Sequence, residues 1–146
     1  MTLEQISELV KSESVKIVSF DIFDTLLVRP CIIPSDMFKI VATRAGYDES
    51  FVKIRQLAEQ YARENKPFYE DDITIDDIYK HLHLNFEFST EECEKLKTIE
   101  MEVEFDYLYP KNSIQKIFFE ALENHKKVII VSDMYLPKKF LEKVLE

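Results

Sequence analysis

Glycine is almost missing. Gly46 stands alone in 146 residues, which excludes the devices that cradle phosphate on glycine-rich backbone, both the Walker loop and the dinucleotide fingerprint. Any phosphate bound here must be held by other groups. Cysteine is nearly as scarce, with Cys31 and Cys93 the only two. The chain opens Met1-Thr2-Leu3-Glu4-Gln5, with neither the basic start nor the apolar core of an export signal. Both cysteines are therefore expected as free thiols, buried as small apolar groups. No apolar run reaches the roughly 18 residues that a membrane-crossing helix needs, and the cytoplasm is the expected location. Positive charge is also short. Nineteen Lys and Arg against 28 Asp and Glu leave a net charge of −9, with no basic face on which nucleic acid could be wrapped.

What is present is apolar and patterned. Apolar residues make up 46% of the chain, and its length suits about one domain. Two stretches read as strands. Val15, Ile17 and Val18 lead into Ser19-Phe20-Asp21, a β-branched run over about residues 15–21 of the kind found in buried parallel sheets. Lys127-Val128-Ile129-Ile130-Val131 is a second such run, expected as a buried parallel strand, and it ends in Ser132-Asp133. Ligands of open α/β sheets bind outside the carboxyl ends of strands. Asp21 at such an end is either a carboxylate that binds or attacks, or an Asp that only opens a turn.

Between the strands the signal is helical. Leu3, Ile6, Leu9 and Val10 predict a leading helix. After Val28-Arg29-Pro30-Cys31-Ile32-Ile33-Pro34, whose prolines forbid one regular element, Ser35 is a candidate N-cap and Gly46 a candidate helix end. Phe51, Ile54, Leu57, Ala58, Tyr61 and Ala62 form a stripe that Asn65-Lys66-Pro67 closes. Thr74 opens a helix with an acidic first turn, and Ser89 with Glu92 forms a capping box before another. That helix includes Glu100-Met101-Glu102-Val103-Glu104-Phe105-Asp106-Tyr107, which also alternates like a strand; the cap decides for helix. The glutamates between 91 and 104 are expected as a solvated face. His81 and His83 are expected at a solvated helix end rather than as a metal pair. Asn112 is expected to cap a further helix, and Pro137 to begin the last.

Phe20-Asp21-Ile22-Phe23-Asp24-Thr25-Leu26 resembles motif I of the haloacid dehalogenase-like (HAD) hydrolases. There a strand delivers a nucleophilic Asp and a Thr follows four residues later, positions matched by Asp21 and Thr25. Val131-Ser132-Asp133-Met134 resembles motif II, an apolar strand ended by a hydroxyl residue. The resemblance implies an α/β fold, an incomplete Rossmann-like core of two parallel strands with a mostly helical cap inserted after the first. Residues 1–30 and 111–146 would form the partial core and 31–110 the cap. It implies phosphoester hydrolysis through Asp21 as nucleophile, with Thr25 orienting the motif loop. Ser132 and the N–H of Asp133 would hold the oxygens of a small phosphorylated or similarly anionic substrate. Asp24 and Arg29 are further candidates for substrate contact. Mg²⁺ would be bound by Asp21 and the Phe23 carbonyl.

Two departures accompany the resemblance. The family's phosphatases carry a second Asp where this chain has Phe23, and an aromatic there is similar to the dehalogenase branch. The basic residue and the later acids of motifs III and IV have no counterpart. The chain is therefore expected to be inactive as it stands, needing a missing C-terminal half or a larger fused protein. The alternative is a non-catalytic HAD-like regulatory or scaffold domain.

Overall fold

A computed structural model describes residues 1–31, 33–67 and 72–146. In chain order the elements are α1 (Leu3–Lys11), β1 (Ile17–Asp21), β2 (Leu27–Val28), a 3₁₀ turn (Pro34–Asp36), α2 (Met37–Ala45), α3 (Ser50–Asn65), α4 (Ile75–Asn85) and α5 (Thr90–Tyr107). There follow β3 (Tyr109–Pro110), α6 (Asn112–Glu123), β4 (Lys127–Val131) and α7 (Lys138–Val144). The fold is mixed α/β. It divides into two compact units, Met1–Pro30 with Leu108–Ser132 and Cys31–Tyr107 with Asp133–Glu146.

The first unit is built on β1 and β4, which pair in parallel with Ile17 opposite Lys127 and Asp21 opposite Val131. Side chains alternate across such a pair, so Val18, Phe20, Val128 and Ile130 share one face. That face meets α6, where the Phe20 and Phe118 rings pack edge to face with centroids 5.5 Å apart. α1 packs on α6 in turn, tied by a hydrogen bond of 2.6 Å from the Ser7 hydroxyl to Glu120. A second, shorter ladder joins β2 to β3 antiparallel, with Leu27 opposite Pro110 and Val28 opposite Tyr109.

The expectation that residues 127–131 form a buried strand needs correction. They form a parallel strand, but Val131 is 56% exposed and Ile129 and Ile130 each 37%. A parallel strand is buried when helices cover both faces and strands flank both sides. Among the described residues β4 has one strand neighbour, β1. The face carrying Ile17, Ser19, Asp21, Ile129 and Val131 is exposed at every one of these positions.

The second unit is helical, with α3 packed on α4, α2 on α5 and α4 on α5. The caps behave as the sequence implies. Thr74 accepts from the Asp77 N–H while Asp77 accepts from the Thr74 N–H, and Ser89 and Glu92 make the same exchange. Residues 100–107 are helical. Gly46 ends α2 in the left-handed conformation with φ 82°, where any other residue would be strained. Three boundaries shift by a residue or two. Ser35 lies in the 3₁₀ turn ahead of α2, Asn112 is the first helical residue of α6 rather than its cap, and Pro137 is the cap of α7.

One expectation fails here, beside the buried guanidinium of Arg55. The glutamates of α5 are not all solvated: Glu100 is 1% exposed and Glu104 2%. Arg55 on α3 donates to both carboxylate oxygens of Glu100 at 2.7 Å, and the Tyr79 hydroxyl donates to Glu100 at 2.8 Å. The same guanidinium lies 4.5 Å from the Phe38 ring and 5.1 Å from the Tyr135 ring. Tyr135 is thereby drawn into the helical unit, where its carbonyl accepts from the Ile75 N–H at 2.8 Å. Residues 133–146 group with these helices by contact. Of the prolines' stretch 28–34, Ile32 lies outside the described residues. Cys31 is partly exposed and Cys93 buried, both as free thiols.

Candidate functional site

Asp21 is the last residue of β1 and is exposed. Behind it the chain reverses sharply. The Leu26 and Leu27 N–H groups both donate to the Ile22 carbonyl at 2.9 Å. Asp24 at the apex has φ 59°, a left-handed conformation that Asp tolerates better than most residues because its short side chain can bond locally. This reversal carries Thr25 back, and its hydroxyl donates to Asp21 Oδ2 at 3.0 Å. The other oxygen of Asp21 has no hydrogen-bond partner among the described residues. Asp21 and Thr25, paired in the sequence by a spacing of four, are thus paired in space.

Ser132 follows Val131, and Val131 is the register partner of Asp21. Neighbouring strands lie about 4.8 Å apart, so the ends of β1 and β4 bring the Asp21 and Ser132 segments to one edge of the sheet. Ser132 is partly exposed. Asp133, the next residue, is exposed and belongs to the helical unit. Phe23 is buried at 9% exposure. Arg29 lies with its guanidinium carbon 4.5 Å from the centre of the Phe23 ring, a cation–π contact. Asp24 is exposed.

The sequence gives no hint of one residue that the fold brings to this loop. Lys111 follows β3 and donates from its ammonium to the Asp24 carbonyl at 2.8 Å, while its own N–H donates to the Leu26 carbonyl at 2.8 Å. The two residues are 87 positions apart, beyond any local pattern, and the short β2–β3 ladder that joins them has no periodicity to read.

The histidines are engaged locally. His83 Nδ1 lies 2.7 Å from the Phe88 carbonyl and His81 Nδ1 3.3 Å from Asn85. Among the described residues no three His, Cys, Asp or Glu side chains are grouped as a metal site. A Mg²⁺ ion does not require such a group. It commonly binds through one or two carboxylates with the rest of its shell from water and substrate phosphate. The exposed Asp21 carboxylate is a donor of that kind, since Oδ2 keeps a second lone pair beside the Thr25 hydrogen bond, and a Phe23 carbonyl would be a second hard oxygen.

No protein-family model matches this chain, and comparison with characterised proteins finds no significant relative. Among the described residues no helix is long and apolar enough to cross a membrane.

Proposed function

We propose that this chain carries the nucleophile-bearing part of a HAD-like hydrolase, which cleaves phosphoesters of a small anionic substrate through Asp21 once the basic and acidic groups of motifs III and IV are supplied. The observation that carries the reading is the exposed Asp21 carboxylate at the end of a parallel strand, held through one oxygen by Thr25, with Ser132 one residue beyond its register partner. The core would be a partial Rossmann-like sheet and the helical unit a cap.

In this mechanism Thr25 holds Oδ2 and turns the second oxygen outward. That oxygen attacks phosphorus, forming an aspartyl phosphate as the ester oxygen leaves with the bonding pair. Water then attacks phosphorus, releasing phosphate and restoring the Asp21 carboxylate. The Ser132 hydroxyl and the Asp133 N–H would donate to the phosphoryl oxygens, where negative charge grows in the transition state. Asp24 and Arg29 would contribute contacts to the rest of the substrate. Bound Mg²⁺, held by Asp21 and the Phe23 carbonyl, would neutralise charge between the carboxylate and the phosphoryl group.

Phe23 decides which substrates can react. A buried phenyl ring cannot protonate a leaving group, so esters of acidic alcohols, whose oxygen leaves as a stable anion, are the substrates within reach. In the protein that supplies motifs III and IV, the expected outcome is turnover of p-nitrophenyl phosphate with Mg²⁺, little turnover of an alkyl phosphate, and loss of the activity in Asp21→Asn. Equal rates for Asp21→Asn and the unsubstituted protein in that setting would overturn the assignment.

The same Phe23 ring favours a second reading, a non-catalytic HAD-like regulatory or scaffold domain of a larger protein. On that reading inorganic phosphate and Mg²⁺ bind but p-nitrophenyl phosphate is not turned over. Calorimetry with phosphate, run beside the turnover assay, separates the two.

A further inference from the structure

We propose that Lys111 is a positioning residue for Asp21, fastening the reversal that aims the carboxylate. The inference rests on the reading of Asp21 as the reacting group.

The reversal from Ile22 to Leu27 depends on a conformation that a residue other than glycine adopts reluctantly, the left-handed Asp24 at φ 59°. Thr25 is the next residue, so the rotation at Asp24 decides whether its hydroxyl reaches Asp21 Oδ2. Lys111 grips this turn at two points. Its ammonium takes the Asp24 carbonyl, and its main-chain N–H takes the Leu26 carbonyl. The grip has a rigid origin, because Lys111 directly follows the ladder in which Pro110 faces Leu27 and Tyr109 faces Val28.

The chemistry of the contact fits the role. The Lys111 ammonium makes no ion pair among the described residues and is given to a neutral carbonyl. A charged donor to a carbonyl makes a stronger hydrogen bond than a neutral one. It also sets a positive charge beside a loop that carries the Asp21 and Asp24 carboxylates. A methionine of similar length would fill the same space and lose the bond. A glutamine would stay polar yet fall short of the carbonyl.

The test uses Lys111→Met, Lys111→Gln and Lys111→Arg, read by amide hydrogen exchange in this chain and by p-nitrophenyl phosphate turnover with Mg²⁺ in the protein that supplies motifs III and IV. The Leu26 and Leu27 amides, both bonded to the Ile22 carbonyl, should exchange about tenfold faster or more in the Met and Gln chains. The Lys127 amide, bonded to the Lys16 carbonyl at 2.9 Å, reports on the sheet and should stay within about twofold. In the same two chains kcat should fall about tenfold with KM unchanged, because aim is lost while substrate contacts stay. Lys111→Arg should recover most of both. Unchanged exchange at Leu26 and Leu27 in the Met and Gln chains would overturn the role of Lys111. So would a rise in KM at constant kcat, which marks a substrate contact. If the protein that supplies motifs III and IV turns over no p-nitrophenyl phosphate, the hydrolase reading fails, and exchange alone still decides whether Lys111 fastens the loop.

Discussion

Arg55 is a cation with no exposed surface, and its surroundings explain why it stays charged. Burial works against the guanidinium charge, but the bidentate Glu100 carboxylate outweighs it and holds the Arg55 pKa well above its ordinary value. Glu59 adds a second carboxylate at 3.2 Å. Removing one member strands the other in a low-dielectric interior, at a cost of about 3–5 kcal/mol. Arg55→Met should lower the free energy of unfolding in urea by that amount. Arg55→Met with Glu100→Met should lose far less than the two single changes summed, since no unpaired charge remains. Strict additivity would show that the two groups do not act as a pair. In the sequence Arg55 reads as a polar position beside an apolar stripe, and no local pattern distinguishes a buried arginine from a solvated one. Only the arrival of Glu100, 45 positions later, makes it a core residue.

The helices are separable at the level of their ends. Each capping box satisfies N–H groups that a first helical turn leaves without partners. Thr74→Ala should cost about 1 kcal/mol of stability, measured by thermal or urea unfolding. Asp77 gives the cap a pH dependence. Slight burial raises its pKa, but the Thr74 N–H and hydroxyl and the Lys66 ammonium outweigh this and leave it below the ordinary aspartate value. A depressed carboxylate stabilises the fold fully above its unfolded pKa, about 3.9. That stabilisation is lost as pH falls through the lower folded value. Unfolding of Asp77→Asn followed from neutral to acid should therefore show a deficit that is constant well above the unfolded aspartate pKa of about 3.9 and closes as pH falls through the lower folded value. A deficit unchanged at the acid end would locate the effect in shape rather than charge. These caps were legible from single residues at fixed offsets because the physics of a helix end is local. The missed boundaries at Ser35 and Asn112 are also local: Asp36 of the 3₁₀ turn caps α2, and Lys111, just after β3, caps α6.

For the whole molecule the telling feature is the uncovered side of the sheet. Ile17, Ile129 and Val131 share a face with Asp21, and all three are more than a third exposed. An apolar strand pair with open edges invites further pairing. The protein is expected to bind an apolar dye and to associate as its concentration rises, by sedimentation. Ile129→Lys should reduce both with little loss of stability, because the side chain already stands partly in solvent. Association unaffected by the charge would place the contact elsewhere.

The sequence by itself determined whatever depends on neighbours along the chain. It carried the two apolar strands, the helices and their capped starts, the glycine that ends α2, and the spacing of four that lets Thr25 reach back to Asp21. Tertiary structure alone decided the rest: that among the described residues β4 has β1 as its one strand neighbour, that two glutamates of α5 are buried, that residues 133–146 join the helices, and that Lys111 grips the Asp24 carbonyl. Each of these is set by a partner tens of residues away, and hydrophobic burial and hydrogen bonding respond to distance in space, which short-range periodicity does not encode.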